Sequence, residues 1–133
     1  MASYLLDTGL ILRHLRGQRR AVRILSGFAK NGRVSVSAIT RLEVRAGMRS
    51  EEKYATNKLL SRFVTYDVDR DVADRAGDLI RTAQERHSTL SVPDAIIAAT
   101  ALTHGLTLVT LNRADFEGIP GVSLAAAPEE SEA

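Results

Sequence analysis

The sequence predicts an α/β domain with a mainly parallel central sheet of about four to five strands, flanked by helices. Short apolar or β-branched runs alternate along the chain with segments whose apolar residues recur at helical spacing. A chain of 133 residues with 44% hydrophobic content can also bury one core without disulfides. We place the domain at residues 1–124 and predict that the small, acidic residues 125–133 form a disordered tail.

The first part of the chain shows a strand-helix-strand-helix order. Tyr4–Leu6 is an apolar run that ends at the polar break Asp7-Thr8-Gly9, and helical spacing follows. The helical pattern persists to the turn signal Lys30-Asn31-Gly32, and the alternating run Val34–Ser37 then predicts a second strand. Ser37 is suited to cap a helix over Ala38–Met48, so a β-α-β arrangement begins here.

The rest of the chain continues the alternation. The predicted helices are Lys53–Leu60, Val72–Ala83 and Asp94–Thr103. The last of these begins after Ser91-Val92-Pro93 and ends at His104-Gly105. The predicted strands are Phe63–Tyr66, a strong one at Leu106–Thr110 and a weak one at Val122–Leu124. In open α/β sheets, ligands bind beyond the carboxyl ends of the strands. Asp7, Ser37 and Thr110 each end a predicted strand and are therefore expected to line the same sheet edge.

Composition excludes several classes of protein. There is no cysteine, which rules out a disulfide scaffold, a zinc-thiolate site and a thiol nucleophile, and which fits a cytoplasmic location. The N-terminus lacks the pattern of a secretory signal and no run is long enough to span a bilayer, so we expect no membrane association. Residues 1–66 have a net charge of +9 and the remainder −7, which indicates a polyanionic partner or mutual neutralisation in the fold.

Glu43 borders the apolar face predicted for its helix, which Ile39, Leu42 and Ala46 form. A carboxylate at the rim of a buried face needs a cation or a hydrogen-bond donor, because an unpaired buried charge is costly. A metal ion would meet that need, and an ion pair with an arginine from elsewhere in the chain would meet it equally well.

Three further acids are candidates for the same site, and each has a structural alternative. Asp7 directly follows the first strand and could simply cap the next helix. Asp94 is the one acid in an otherwise small and apolar helix, but with Ser91 it also fits a capping-box pattern. Asp115 follows the last strong strand and could serve only to form a turn. Acids from distant segments at one sheet edge would repel one another unless a cation lay among them.

An all-oxygen ligand set favours Mg²⁺ or Mn²⁺ over softer metals, and the three histidines share no metal-ligand spacing. Such a cluster suits phosphodiester cleavage, since the metal activates water and stabilises the leaving oxygen. The Gly-x-Ser-x-Gly elbow, the phosphate-binding loop with its lysine and the Gly-x-Gly-x-x-Gly fingerprint are all absent from the sequence. Water is therefore the expected nucleophile.

Four short motifs follow one another along the chain, and their order is more distinctive than any one of them. They are Leu6-Asp7-Thr8, Ser37-x-x-Thr40-x-x-Glu43, Val92-x-Asp94-Ala95-x-Ile97-Ala98-Ala99 and Leu108-Val109-Thr110-x-Asn112-x-x-Asp115-Phe116. Together they resemble the PIN domain and, more narrowly, the VapC-type toxins of bacterial and archaeal toxin–antitoxin pairs. The likeness runs from about Tyr4 to Phe116. It implies a PIN-like fold, a Mg²⁺- or Mn²⁺-dependent endoribonuclease activity, a homodimer or larger toxin–antitoxin assembly, and a cognate antitoxin that inhibits the enzyme.

The resemblance also implies roles for individual residues. Asp7 and Asp94 would contact the metal, Glu43 would act directly or through metal-bound water, and supporting hydroxyls would come from Thr8, Ser37 and Thr110. Many PIN nucleases have Asp where this chain has Asn112, so the fourth carboxylate is either Asp115 or missing. Asn112 can hydrogen-bond a phosphate or a metal water but adds no charge, and we therefore expect one metal ion in the absence of substrate.

Arginines on the predicted helices fit an RNA substrate. Contacts to phosphate, or to an acidic antitoxin segment, are expected from Arg13, Arg16, Arg41 and Arg45. Two other functions stay open, namely a PIN nuclease of RNA processing without an antitoxin and a catalytically silent PIN-like module that binds RNA or a partner. A phosphoacceptor receiver domain is excluded, because all three lysines precede the late strand where that fold needs one.

Overall fold

The computed structural model describes residues 2–126. Its strands are β1 (Ala2–Leu6), β2 (Gly32–Ser37), β3 (Val64–Tyr66), β4 (Thr107–Val109) and β5 (Ser123–Leu124). Its helices are α1 (Thr8–Leu15), α2 (Arg19–Asn31), α3 (Ala38–Gly47), α4 (Lys53–Leu60), α5 (Arg70–Glu85), α6 (Val92–His104) and α7 (Ala114–Glu117), with a 3-10 turn at Ser50–Glu52. The α/β class predicted from the alternating pattern is confirmed.

The five strands form one sheet in the order β3-β2-β1-β4-β5, and every neighbouring pair is parallel. The chain winds outward from β1 through β2 to β3 and then returns to the other side of β1 with β4 and β5. The direction of winding therefore reverses between β1 and β4, which is where such sheets bind ligands. Leu6 of β1 is paired with Val109 of β4, so Asp7 and Thr110 leave the sheet side by side.

Both faces of the sheet are covered, because successive side chains of a strand point to opposite faces. Leu6 packs with buried residues of α1, α2 and α4, including Ile11, Ile24 and Leu60. Leu5 packs on the other face with residues of α6 and α7, such as Ile97 and Phe116. Since β1 is buried on both sides, the residue that follows it begins in the interior.

Helix α3 turns a different face inward from the one predicted. Thr40 and Val44 are fully buried, whereas Leu42 is 61% exposed and Ala46 is also exposed. The prediction that Ile39, Leu42 and Ala46 form the inward face is therefore wrong for Leu42 and Ala46, and only Ile39 is half-buried. The reason is that the hydroxyl of Thr40 finds a hydrogen-bond partner inside the protein, so a polar residue takes a core position.

The segment after β4 also differs from the prediction, which placed no helix or strand between Thr110 and Val122. It contains the four-residue helix α7, whose Phe116 is 1% exposed and anchors it to the core. Residues 127–133 of the predicted tail lie outside the described residues, whereas the Ala125 N–H donates to the Leu108 carbonyl (2.9 Å) and prolongs the pairing of β5 with β4. Within residues 2–126, no helix has the length and apolarity needed to cross a membrane.

Candidate active site

Asp7 stands at the junction of β1 and α1. Its N–H donates to the Val109 carbonyl (3.0 Å), and its Oδ1 accepts a hydrogen bond from the Thr8 N–H (2.8 Å), so it caps the helix. Only 4% of Asp7 is exposed. Asp7 therefore does cap the helix, as the structural alternative predicted. Capping uses only one of its carboxylate oxygens, and a Ser or Asn at this position could also cap the helix.

The second oxygen of Asp7 is held by the loop after β4. Thr110 Oγ1 donates to Asp7 Oδ2 (2.7 Å) and accepts from the Asn112 N–H (3.0 Å). Ser37, the third strand-ending residue, is fully buried, and its hydroxyl accepts from the Ile39 N–H (3.1 Å) to cap α3. The Thr110 hydroxyl thus contacts the Asp7 carboxylate, whereas the Ser37 hydroxyl bonds to the backbone of its own helix.

Glu43 is joined to the first turn of α1. Thr8 Oγ1 donates to Glu43 Oε1 (2.8 Å), and the same hydroxyl lies 3.0 Å from Thr40 Oγ1. Thr40 belongs to the second of the four sequence motifs, but no role was predicted for it. Its spacing of three residues before Glu43 was the available signal, because residues three apart share a helix face.

Asp94 lies in the first turn of α6, where Ser91 caps the helix by accepting from the Asp94 N–H (3.2 Å). The carboxylate is half-buried at the end of a helix whose following residues, such as Ala95 and Ala98, are fully buried. Ala95 packs with Val72 of α5 and Ala98 packs with Leu5 of β1, so the start of α6 is held between α5 and the sheet.

Neighbouring acids raise the pKa of both Asp7 and Asp94. Burial raises the pKa of Asp7, the hydrogen bond from Thr110 opposes that rise, and the nearby charges of Asp94 and Glu43 raise the pKa further. Burial likewise raises the pKa of Asp94, with a lowering by Ser91 and additional increases from the charges of Asp115 and Glu43. The residue that follows β1, one residue of α3 and one of α6 thus form an acidic group, which we call the acid cluster (Asp7, Glu43 and Asp94).

The two candidates for the fourth position lie on different sides of this cluster. Asp115 is exposed on α7, and its charge reaches Asp94. Asn112 lies beside the first turn of α1, because a Cβ placed on Gly9 would lie 3.7 Å from Asn112 Nδ2. The amide is therefore adjacent to the turn that Asp7 caps, and the carboxylate of Asp115 is adjacent to α6.

The acid cluster suits a divalent cation by the chemistry of its donors. Within residues 2–126, no three acidic or histidine side chains converge closely enough to enclose a metal ion by themselves. Mg²⁺ does not require such a cage, since it usually keeps several waters and binds only one or two carboxylates. All the donors here are carboxylate and hydroxyl oxygens, and their mutual repulsion is the property that a cation would relieve.

Three of the four arginines expected to contact RNA or an antitoxin also make polar contacts within the chain. Arg16 Nε lies 3.7 Å from Glu52 Oε2, Arg45 Nη1 donates to Asn57 Oδ1 (2.6 Å), and Arg41 Nη1 reaches the carbonyl that ends α4 (3.5 Å). These contacts connect α1 and α3 with the 3-10 turn and α4. The contact of Arg45 with Asn57 is exposed, and exposed contacts of this kind contribute little to stability, so this guanidinium group can exchange partners at low cost.

A doubly wound parallel sheet with carboxylates gathered at its switch point defines an α/β domain with a candidate divalent-metal centre. The chain belongs to the PIN-domain family, whose model matches residues 4–121. The family resemblance inferred from the four motifs is thereby confirmed.

Relatives with curated names are ribonucleases of the VapC type. The chain is 34% identical to ribonuclease VapC10 of Mycobacterium tuberculosis over 108 residues, and this matched region covers 81% of each protein. It is 33% identical over 117 residues to ribonuclease VapC19 of the same organism, which covers 87% of this chain and 94% of the relative. The likeness therefore extends over nearly the whole of both proteins.

Solved structures agree in fold. A toxin–antitoxin complex from Klebsiella pneumoniae has a chain with a TM-score of 0.73 and 37% identity, covering 90% of this chain and 94% of that one. The DNA-bound VapBC of Salmonella typhimurium gives a TM-score of 0.83 with 25% identity, covering 94% and 98%. The similar structures thus include toxins crystallised together with their antitoxins.

Proposed function

We propose that this protein is a Mg²⁺- or Mn²⁺-dependent endoribonuclease and the toxin of a toxin–antitoxin pair. The observation that carries the proposal is the acid cluster at the switch point of the sheet, where Asp7 is hydrogen-bonded to Thr110 and the charges of Glu43 and Asp94 raise the pKa of the buried Asp7. The names of the VapC relatives support RNA as the substrate. The sequence alone also allowed a catalytically silent PIN-like module, and the presence of all three acids of the cluster favours an enzyme instead.

Each acid has a part that its hydrogen bonds support. Asp7 and Asp94 are assigned to the metal, since Asp7 is held at both oxygens and Asp94 is fixed in the first turn of a buried helix. Glu43 Oε1 accepts from Thr8, and we assign Oε2 to hold and orient the attacking water by accepting its proton. When bound, Mg²⁺ or Mn²⁺ supplies positive charge to the phosphate and lowers the pKa of the water nucleophile.

Basic residues of the first half provide affinity for the RNA backbone. Arg41 and Arg45 lie on the same helix as Glu43, Arg13 lies on the helix that Asp7 caps, and Arg16 directly follows that helix. Guanidinium contacts to phosphate fix the position of an RNA strand without selecting its sequence. These four arginines are also the residues that we assign to an acidic segment of the antitoxin, which would then compete with RNA.

The toxin role rests on the complexes found among the similar structures. The Klebsiella pneumoniae chain was solved in a toxin–antitoxin complex, and this chain covers 94% of it at 37% identity. We propose by the same likeness that this protein is inhibited by a cognate antitoxin and forms a homodimer or a larger toxin–antitoxin assembly. A neighbouring gene for a small DNA-binding protein, whose co-expression relieves growth arrest, would support that role over RNA processing.

The enzymatic proposal is tested by incubating the purified chain with total RNA in Mg²⁺ or in EDTA. We expect cleavage in Mg²⁺ only, and Asp94→Asn should lower its rate by at least about 100-fold because charge at the reacting phosphate is lost. Asp74→Asn is the matched control, since Asp74 is an exposed acid on α5. Cleavage that survives both EDTA and Asp94→Asn would overturn the metal mechanism, and no cleavage by the folded native chain would favour the silent module.

A further inference from the structure

A pocket opens between the end of α5, the connection from α5 to α6, and α7. Its floor is apolar and half-buried, formed by Leu79, Ala83, Leu90 and Ile119. Its cavity volume is about 160 Å³, roughly ten times the 10–15 Å³ that one water needs on the same measure. We call it the α5–α7 pocket, and it has room for a ring-sized group.

The rim of the α5–α7 pocket is polar and exposed. It consists of the guanidinium of Arg86, the hydroxyls of Ser88 and Thr89, and the carboxylate of Asp115. A lipid or a purely apolar peptide would leave these groups without partners. A planar heterocycle with donors and acceptors at its edge suits both the apolar floor and the polar rim.

Two elements of the candidate active site form walls of this pocket. The connection that supplies Ser88, Thr89 and Leu90 leads directly into α6, which begins two residues before Asp94. On the opposite side, Asp115 belongs to α7, and its charge reaches Asp94. A group bound in the pocket would therefore lie next to the place where the acid cluster acts.

Tyr54 on α4 is a 78% exposed ring, but no aromatic residue within the described part of the chain lines the α5–α7 pocket, and two further rings are engaged in contacts of their own. The ring of Tyr4 packs edge-on against that of Phe28 (4.7 Å between centroids), and Tyr66 packs against His104 (4.3 Å). Proteins that recognise single-stranded RNA commonly hold splayed-out bases on aromatic rings or on arginine planes. In this region of the chain, Arg86 supplies such a plane at the mouth of an apolar pocket.

We propose that the α5–α7 pocket binds one unstacked nucleobase of the RNA, next to the phosphate that is cleaved, with Arg86 against the base or its phosphate. This inference rests on the proposed ribonuclease function and adds a site for choosing the base. The hydroxyls of Thr82, Ser88 and Thr89 supply hydrogen bonds to the edge of the base, and the floor of Leu79, Ala83, Leu90 and Ile119 covers its face.

Binding is tested without cleavage, by following backbone amides of the folded chain by NMR during titration with the four nucleoside 5′-monophosphates in EDTA. We expect saturable shifts at Ala83, Thr89 and Ile119, largest for one base. Ala83→Leu fills the pocket and should abolish these shifts, whereas Ala73→Leu, at an exposed position of the same helix, should leave them unchanged. Shifts confined to other regions, or shifts that survive Ala83→Leu, would overturn the proposal.

A second variant guards against misfolding of the first. Arg86→Ala changes an exposed side chain and should weaken the nucleotide titration by several-fold in a protein with an unchanged amide spectrum. With RNA, both pocket variants should raise KM by about tenfold or change the base found beside the cut. If the native chain cleaves no RNA but the nucleotide shifts are present, the proposed function fails and the pocket stands. If Ala83→Leu cleaves RNA with both the KM and the base preference of the native chain, the pocket proposal fails alone.

Discussion

Thr110 Oγ1 donates a 2.7 Å hydrogen bond to Asp7 Oδ2, between two buried residues that are 103 positions apart in the chain. The bond spans the switch point of the sheet, since Asp7 follows β1 and Thr110 follows its neighbour β4. It fixes the direction of the Asp7 carboxylate, and it partly offsets the cost of burying that group. The sheet topology thereby positions the first acid of the cluster.

Replacing Thr110 with valine should test this offset. Thr110→Val keeps the shape but removes the donor to a buried carboxylate, and we expect a loss of about 1.5–3 kcal/mol in the free energy of unfolding. Urea denaturation at pH 7 in EDTA measures the change. Thr110→Ser keeps the hydroxyl and should lose much less, so equal losses for both variants would mean that packing, not the hydrogen bond, matters here.

Asp7→Asn should stabilise the metal-free protein at neutral pH. Burial raises the pKa of Asp7 in the folded state, so its contribution to stability is present below the unfolded pKa and is lost as pH rises through the folded pKa. Asparagine caps a helix as well as aspartate does, without the buried charge. Thermal unfolding in EDTA should show a higher Tm for Asp7→Asn at pH 7, with the gap closing toward pH 4. A lower Tm at pH 7 would contradict the raised pKa.

Thr40 is predicted to position Glu43 through the Thr8 hydroxyl. Thr40→Val removes the oxygen 3.0 Å from Thr8 Oγ1 and frees that hydroxyl to turn away from Glu43, so kcat should fall about tenfold with little change in KM. Thr40→Ser should restore most of the rate. In the background of Glu43→Gln, Thr40→Val should have little further effect, since the two residues act as a unit. Additive losses would assign Thr40 a purely structural role.

Asn112→Asp should change the number of metal ions bound. Asn112 lies beside the turn that Asp7 caps, where an added carboxylate would contribute charge for a second ion. Equilibrium binding of Mn²⁺ should therefore give one ion per native chain without RNA and two per Asn112→Asp chain. The same stoichiometry in both proteins would mean that position 112 does not face the metal centre.

Much of the fold was readable from the sequence because its signals were local and repeated. The helix caps at Asp7, Ser37 and Ser91 were predicted, and so was the gathering of strand ends at one edge. The inward face of α3 was not, because Thr40 counts as polar in a periodicity although its hydroxyl is satisfied inside the protein. Hydrogen bonds between distant segments leave no periodic signal.

The remaining differences have similar causes. Helix α7 has only four residues, too few to show a helical period, and it is held by the burial of Phe116. The α5–α7 pocket depends on how α5 and α7 approach each other, which no single segment encodes. The roles of Asp7, Glu43, Asp94 and Asp115 in catalysis stay predictions, although the first three are now seen to share one electrostatic environment.

Calorimetric titration of the RNA-free protein with Mn²⁺ tests most directly whether the acid cluster is a metal site. We predict one ion per native chain, with binding at least about tenfold weaker in Asp7→Asn and in Asp94→Asn. The exposed control Asp74→Asn should bind as the native chain does. Unchanged affinity in Asp7→Asn and Asp94→Asn, each shown to be folded, would contradict the central claim that these acids hold the catalytic metal.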